Sequence, residues 1–279
     1  MQIKVKTPAK INLTLEVTGK RPDGFHNIQS IMQMINLYDI LTFNIEKSDK
    51  LEIKLSGTNP KIPYDERNIV YKAILLFVEK ANVEPHKFAV HLEKNIPSEA
   101  GLAGGSTNAV GAFIALNKFF DEPLTKKELH ELCAKLGSDL NVCLEGGCVL
   151  ATGRGENVQK IQFKEYPVSL IKPELGISAK EGYQKYAELQ NKPQNDYTHK
   201  MIEYLNEDKD IKPLLYNDLE TAVYNYYEPL QKIKSANPNS IMSGSGSTYF
   251  VLEETINPVE NYWVKTGLKT IPTGCEIIE

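Results

Sequence analysis

The sequence predicts a mixed α and β protein with its strands segregated early, and three observations carry that prediction. From Met1 to about Leu55 the chain is a series of β-branched, partly alternating runs, IKVKTP, INLTLEVTG, DILTFNIEK and LEIKLSG, separated by turn residues. Beyond them apolar residues recur at helical spacing, as in Ile69, Ala73, Leu76 and Phe77, which place a helix over about Asn68 to Lys80. The 279 residues, 24% charged and 41% hydrophobic, have ordinary globular composition and length for about two domains.

Each further element follows from local pattern. HKFAVHLEKNIP returns to strand and ends at Pro97. Val110, Phe113, Ile114 and Leu116 continue a helix that stops near FFDEP. Thr125 and Glu128 have capping-box spacing, which starts a second helix running through KKELHELCAKLG to Gly137. GGCVLATGRGE reads as a strand followed by a turn. The second half begins near Lys160, continues into YPVSLIKP, holds two or three amphipathic helices, and returns to SIMSGSGSTYFVLEE, a glycine turn between apolar stretches. No internal repeat, low-complexity tract or long linker separates the halves, so they are expected to pack tightly.

Composition excludes several function classes. A net charge of -4 argues against a nucleic-acid surface, because phosphate backbones are held by clustered Lys and Arg. The four cysteines, Cys133, Cys143, Cys148 and Cys275, form no C-x-x-C pair and have no His at zinc-ligand spacing, so reduced thiols are expected. The N-terminus alternates like a strand, and no window approaches the ~18 apolar residues of a membrane span. A cytoplasmic protein acting on small molecules fits these bounds, with no membrane partner and as a monomer or weak homodimer.

The stretch EAGLAGGSTNAVGAFIAL, residues 99 to 116, carries the first chemical signal. Glycines let backbone N–H groups approach a ligand closely, and a helix N-terminus adds unpaired donors and a positive dipole end. A Gly-Gly pair before a helix is equally well a plain turn, and the loop alone leaves both readings open. It lacks the P-loop G-x-x-x-x-G-K-[ST] pattern and the Rossmann G-x-G-x-x-G, and the chain has neither H-R-D nor D-F-G.

Four other segments add context: PAKINL (Pro8 to Leu13), RPDGFHNIQSIMQ (Arg21 to Gln33), GSDLNVCLEGG (Gly137 to Gly147) and IMSGSGSTYF. Together with IPSEAGLAGGSTNAV, and in order from about Lys6 to Phe250, they resemble the GHMP superfamily of small-molecule kinases. PAKINL with PDGFH is most similar to its 4-diphosphocytidyl-2-C-methyl-D-erythritol kinase branch. The resemblance implies an α+β fold in two parts: residues 1–155 like ribosomal protein S5 domain 2, and residues 156–279 ferredoxin-like, with the active site between them. It implies transfer of the ATP γ-phosphoryl group to the tertiary C2 hydroxyl of the methylerythritol moiety, in the non-mevalonate route to isoprenoids, with Mg2+ on the phosphates.

The resemblance also assigns residues. Asp139 would accept the hydroxyl proton, with Lys10 beside it to bring hydroxyl and phosphoryl together. Pro97, Ser98, Glu99, Ala100, Gly101, Leu102, Ala103, Gly104, Gly105, Ser106 and Thr107 would form the ATP phosphate loop, the last two offering hydroxyls or capping the helix. Asn68 and Lys94 are candidates for the adenosine side; no metal ligand is assigned. Phe25 and Tyr183 would sandwich cytosine, His26 would read its polar edge, and Asn12 would lie near the methylerythritol hydroxyls. Without this context Lys10 reads as a solvated strand lysine and Asp139 as a helix cap.

Six positions depart from the family pattern. Phe25 replaces a usual Tyr but keeps a ring face. Leu140, Asn141 and Val142 replace Val-Pro-Phe after the catalytic carboxylate. Glu99 brings a negative charge into the phosphate loop, so its side chain is expected to point to solvent. Ala103 replaces a frequent Gly and is expected to keep a negative φ. Two other readings remain: another GHMP kinase, acting on a mevalonate-like alcohol, homoserine or a sugar, and a non-catalytic nucleotide-binding relative. PDGFH and the aromatic pair separate the first of these, since those substrates offer no cytosine to stack.

Overall fold

A computed structural model describes residues 2–279. Two long antiparallel strands, β1 (Gln2–Lys20) and β2 (His26–Lys47), form its spine. IKVKTP and INLTLEVTG are one strand because Pro8 sits at a register shift between Pro8 and Ala9, a place where a sheet tolerates a residue without an N–H. Further shifts fall at Asn12/Thr14 and Val17/Gly19. Lys10 and Asn12 share one face of β1, whereas Ala9, Ile11 and Leu13 enter the core on the other.

Six more strands complete this sheet: β3 (Glu52–Gly57), β4 (His86–Glu93), β5 (Cys148–Gly153), β6 (Asn157–Lys160), β8 (Tyr216–Asn217) and β12 (Glu276–Ile277). One helical layer holds the three helices expected from the sequence pattern, α1 (Ile69–Ala81), α2 (Gly104–Phe119) and α3 (Lys126–Leu136), and a short one not expected from it, α4 (Leu140–Glu145). Asn68 caps α1, and Thr125 with Glu128 forms the expected capping box of α3. Phe77, Val110, Phe113 and Leu132 of these helices meet Val5, Leu41, Phe43, Phe88 and Val90 of the sheet in one apolar core.

The remaining strands, β7 (Pro167–Lys172), β9 (Ile241–Met242), β10 (Tyr249–Val251) and β11 (Trp263–Lys269), form an antiparallel sheet in the order β11-β7-β10-β9. Counted within this half the order is 4-1-3-2, that of a ferredoxin-like sheet, with a loop in place of a helix between β10 and β11. Helices α5 (Ala179–Glu188), α6 (Tyr197–Asn206), α7 (Asp218–Val223) and α8 (Glu228–Ala236) lie between β7 and β9. Val168, Leu170, Phe250 and Leu268 pack with Ile11, Leu13, Ile31 and Ile35, so β1 is covered on both faces. Its residues 7–16 are therefore buried without a break, and the alternation expected of a half-buried strand is lost there.

The division at residues 155 and 156 needs correction. That position is the turn of the β5–β6 hairpin, and both strands belong to the first sheet, so the chain changes sheet only after Lys160. The second half also returns: β8 pairs in parallel with β1 at Thr14 and Leu15, and β12 pairs with β1 at Val5 and Lys6. No periodic signal marks either two-residue strand.

Candidate active site

Lys10 is the hub. It is buried on β1, and its ammonium donates to Asn12 Oδ1 at 2.7 Å and to the Gly101 carbonyl at 2.9 Å. Asp139 Oδ2 lies 3.6 Å away. A lysine has three donors, and here two are fixed by the scaffold while the third faces the carboxylate. Asn12 is equally committed, since its Nδ2 donates to Ser30 Oγ at 2.8 Å. The residue expected near the substrate hydroxyls therefore also aims Lys10.

Asp139 occupies the position before α4, yet its side chain makes no capping hydrogen bond. The ordinary role for an aspartate there is unused. The carboxylate turns toward Lys10 instead, and its side chain keeps 33% exposure against 3% for the lysine. A buried cation beside an accessible carboxylate suits a group that must meet an incoming hydroxyl.

The glycine-rich loop before α2 meets the second half of the chain at this point. Gly101 has φ +71°, and a Cβ there would lie 1.9 Å from the Ser243 carbonyl oxygen. Ser243 Oγ donates to the Gly101 carbonyl at 2.9 Å, and Thr248 N donates to the Ala100 carbonyl at 3.3 Å. A Cβ on Gly244 would lie 3.2 Å from Lys10 Nζ. Glycine is thus required on both loops for two backbones and one lysine to converge. Asn217 secures the second loop by donating to the carbonyls of Met242 and Gly244.

Two cavities flank the junction. The first, about 370 Å³, is walled by Pro97, Ser98, Glu99, Ala100, Gly101, Leu102, Ala103, Gly104 and Gly105, with Asn68, Lys94 and Asn108. Ile62, Pro63, Ile69 and Leu92 add an apolar wall. The N-terminus of α2 opens here with no side-chain cap and no acidic residue in its first turn. Ser106 and Thr107 do not line this cavity. Thr107 is fully buried with its hydroxyl 3.3 Å from Cys275 Sγ, and neither residue is the cap, because Ala103 holds that position. Ala103 takes φ +57°, which corrects the expected negative φ: the αL conformation is what turns the chain into the helix. Glu99 is exposed and also has positive φ, +47°. Its carboxylate turns to Gly176, where an added Cβ would sit 2.3 Å from Oε2, and its charge acts on Lys172.

Lys94 and Asn68 both wall this cavity but are engaged differently. Asn68 spends its amide on the α1 cap and on the Pro63 carbonyl at 2.7 Å. Lys94 reaches to the start of α2, where a Cβ on Gly104 would be 3.3 Å from its Nζ. It pairs there with the fully buried Asp39 and donates to Asn108 Oδ1 at 2.8 Å. Asp39 also accepts from Asn95 N at 2.7 Å and Ile96 N at 2.8 Å. Asp39 and Asn108 escaped sequence reasoning because an Asp within a strand and an Asn within a helix carry no local mark.

The second cavity, about 620 Å³, holds Lys10, Asn12, Asp139, Phe25, His26 and Tyr183 together. Leu15, Ile28, Met32 and Leu219 give it an apolar floor, and Lys20, Lys180 and Arg154 bring positive charge. Gly101 and Ala103 wall both cavities. The aromatic arrangement differs from the expected sandwich: His26 itself stacks on Tyr183, with centroids 5.2 Å apart and planes 11° apart. Burial, then the charges of Lys20 and Lys192, hold the imidazole below its ordinary pKa, and a neutral ring stacks well. Phe25 is 52% exposed at the rim.

The GHMP kinases N terminal domain covers residues 68–148, the stretch from the α1 cap through the phosphate loop to Asp139 and β5. The 4-diphosphocytidyl-2-C-methyl-D-erythritol kinase of Clostridium beijerinckii is 38% identical over 260 residues, which is 90% of each chain. A crystal structure of 4-(cytidine 5'-diphospho)-2C-methyl-D-erythritol kinase superposes with TM-score 0.74 at 28% identity over 90% of each chain. Homoserine kinase from Cytophaga hutchinsonii reaches the same TM-score, 0.74, at 18% identity over 99% of this chain and 97% of its own, a likeness of fold. With such identity sustained along nearly its whole length, the chain belongs to the 4-diphosphocytidyl-2-C-methyl-D-erythritol kinase family of the GHMP kinases.

Proposed function

We propose that the protein transfers the γ-phosphoryl group of ATP to the C2 hydroxyl of 4-diphosphocytidyl-2-C-methyl-D-erythritol, giving the 2-phosphate and ADP. The observation that carries this reading is the junction: two cavities share Gly101 and Ala103, and the Lys10–Asp139 pair lies on the alcohol side of that shared wall. ATP occupies the first cavity with its phosphates over the uncapped start of α2 and beside Lys94. The nucleotide alcohol occupies the second, its cytosine stacked among Tyr183, His26 and Phe25. A base entering between the rings exchanges with the imidazole as Tyr183's partner.

A tertiary hydroxyl is a weak nucleophile, so positioning and proton removal matter most. Asp139 accepts the hydroxyl proton as the oxygen bonds to the γ-phosphorus and the bond to the β-phosphate oxygen breaks. Lys10, unable to leave Asn12 and Gly101, neutralises charge that builds on the transferring group. Among the described residues no group of three or more His, Cys, Asp or Glu side chains converges to hold a metal. Mg2+ would be held chiefly by phosphate oxygens and water, with the accessible carboxylate of Asp139 available to it. When bound, the ion supplies charge neutralisation on the β- and γ-phosphates. No helix among the described residues is long and apolar enough to cross a membrane. Its charged, water-soluble substrates suit a cytoplasmic enzyme.

ADP release by the purified protein tests the reading, with 4-diphosphocytidyl-2-C-methyl-D-erythritol compared against mevalonate, homoserine and galactose. Turnover is expected with the first substrate alone, and Asp139→Asn is expected to lower kcat ~10²- to 10⁴-fold with thermal unfolding unchanged. Absence of turnover with the cytidine nucleotide, or near-normal kcat in the variant, overturns it.

A further inference from the structure

We propose that Arg154 fastens the diphosphate of the nucleotide substrate, and that its guanidinium rests on Phe25 until that anion arrives. This rests on the functional reading above, which supplies a cytidine diphosphate ester as ligand. The resemblance assigned Arg154 no role; it was simply part of a turn. In the structure it lines the second cavity together with Phe25, Tyr183 and Asp139.

The turn that carries it is built to hold it there. Gly153 and Gly155 on either side have φ +71° and +114°, conformations that let three residues reverse the chain between β5 and β6. A Cβ on Gly155 would lie 3.3 Å from Ser138 Cβ, so the turn packs on the residue preceding Asp139. Asn141, which replaces the family's proline, is nearly buried and donates through Nδ2 to the Glu156 carbonyl at 2.8 Å. Its Oδ1 faces His130 Nδ1 at 3.2 Å. The departure after Asp139 therefore clamps the arginine-bearing turn to the helix that begins beside the catalytic carboxylate.

The guanidinium carbon lies 5.1 Å from the Phe25 ring centre, and Nε lies 3.5 Å from Glu156 Oε1. Glu156 Oε2 also accepts from the Arg154 backbone N–H. These contacts orient the head group, while its terminal nitrogens donate to no described residue. A planar fork of free donors matches a diphosphate, and charge-assisted bonds to phosphate are stronger than a half-exposed contact with a ring. Lys20 and Lys180 on the same wall add positive charge. The chain replaces Tyr by Phe at 25, so the ring offers a face and no hydroxyl; the arginine beside it supplies the polar grip.

Titration of CDP by calorimetry and of cytidine by ligand-observed NMR, using the full-length protein, separates this from packing. Arg154→Gln is expected to weaken CDP by ~10- to 100-fold. Cytidine affinity should change by less than about twofold, and Arg154→Lys should recover part of the CDP affinity by point charge. KM for the nucleotide substrate should rise with the CDP constant, while KM for ATP and kcat hold. Equal losses for cytidine and CDP show that Arg154 only props Phe25, and unchanged CDP affinity shows that it does nothing there; either overturns the proposal. Wild-type protein that binds CDP through Arg154 without phosphorylating the proposed alcohol discards the functional reading and leaves this assignment standing. Normal turnover with CDP affinity indifferent to Arg154 does the reverse.

Discussion

The two cavities are built from different materials. The cavity proposed for ATP is walled largely by one consecutive stretch, residues 97–105, five of them Gly or Ala and so mostly backbone, ending in the open N-terminus of α2. The cavity proposed for the nucleotide alcohol takes single side chains from segments far apart: Lys10 and Asn12 on β1, Phe25 and His26 at the β1–β2 turn, Asp139 before α4, Arg154 in a hairpin and Tyr183 on α5. A backbone-built wall tolerates many side chains provided the chain can bend, whereas a wall built of side chains fails or survives one residue at a time. That contrast predicts different responses to substitution on the two sides.

The largest effect is expected where the backbone itself must make room. In Gly101→Ala the new methyl would meet the Ser243 carbonyl at 1.9 Å, in a conformation with φ +71°. One loop must retreat, and the Gly101 carbonyl that anchors Lys10 retreats with it. A displacement near 1 Å at reacting groups costs on the order of 10²-fold in rate. The variant is therefore expected to lose at least about that much kcat/KM for both substrates, with ~1 to 3 kcal/mol of stability. Steady-state kinetics and thermal unfolding check it. An alanine variant with unaltered kinetics for either substrate would show that the junction does not depend on this close approach.

A side-chain wall should give a one-sided effect. Tyr183→Ala removes the ring on which His26 stacks and is expected to raise KM for the cytidine nucleotide by ~1 to 3 kcal/mol, or ~5- to 150-fold. KM for ATP should stay within about twofold, and Tyr183→Phe should retain the stack. If ATP and the nucleotide alcohol weakened together, the two cavities would not be separate binding sites.

The same contrast explains what could be read from sequence. The strand runs, α1, the α3 capping box and the glycine loop are local patterns, and each was legible. The start of the helix is visible in Gly104 and Gly105, but not the αL turn at Ala103, a conformation that alanine does not favour. Lys10 and Asp139 are singled out only by the resemblance, because nothing local distinguishes a strand lysine that donates to residue 101 from one that reaches solvent. Thr107 lies two residues, ~200° of helix rotation, beyond Gly105 of the cavity wall, so its hydroxyl turns away from the cavity to Cys275. The contacts of Asp39, Asn108 and Asn141 lie beyond reach, since their partners are distant in sequence and their types are ordinary for exposed positions, and the same holds for the approach of Arg154 to Phe25. The chain's return to the first sheet through β8 and β12 was invisible for the same reason: two residues carry no period.

The smallest predicted effect separates the sides by pH. His26 lines the cavity proposed for the nucleotide alcohol, and among the described residues no histidine lines the one proposed for ATP. Because burial and two lysines lower its pKa below 6.5 in the folded chain, the unfolded chain binds the proton more readily. Its contribution to stability is therefore full above pH 6.5 and is lost as pH falls from there through the folded value. Thermal unfolding of His26→Gln between pH 8 and pH 5 should lose less stability than wild type, with the two curves parallel above pH 7. Bound CDP should narrow that difference, since an anion near Lys20 and Arg154 offsets the lysine charge that disfavours the imidazolium. KM for ATP should not follow the histidine in the same window. A wild-type curve no steeper than that of the variant would mean that His26 feels neither the burial nor the lysines, and with that the stacked, neutral ring at the centre of the side-chain wall would be lost.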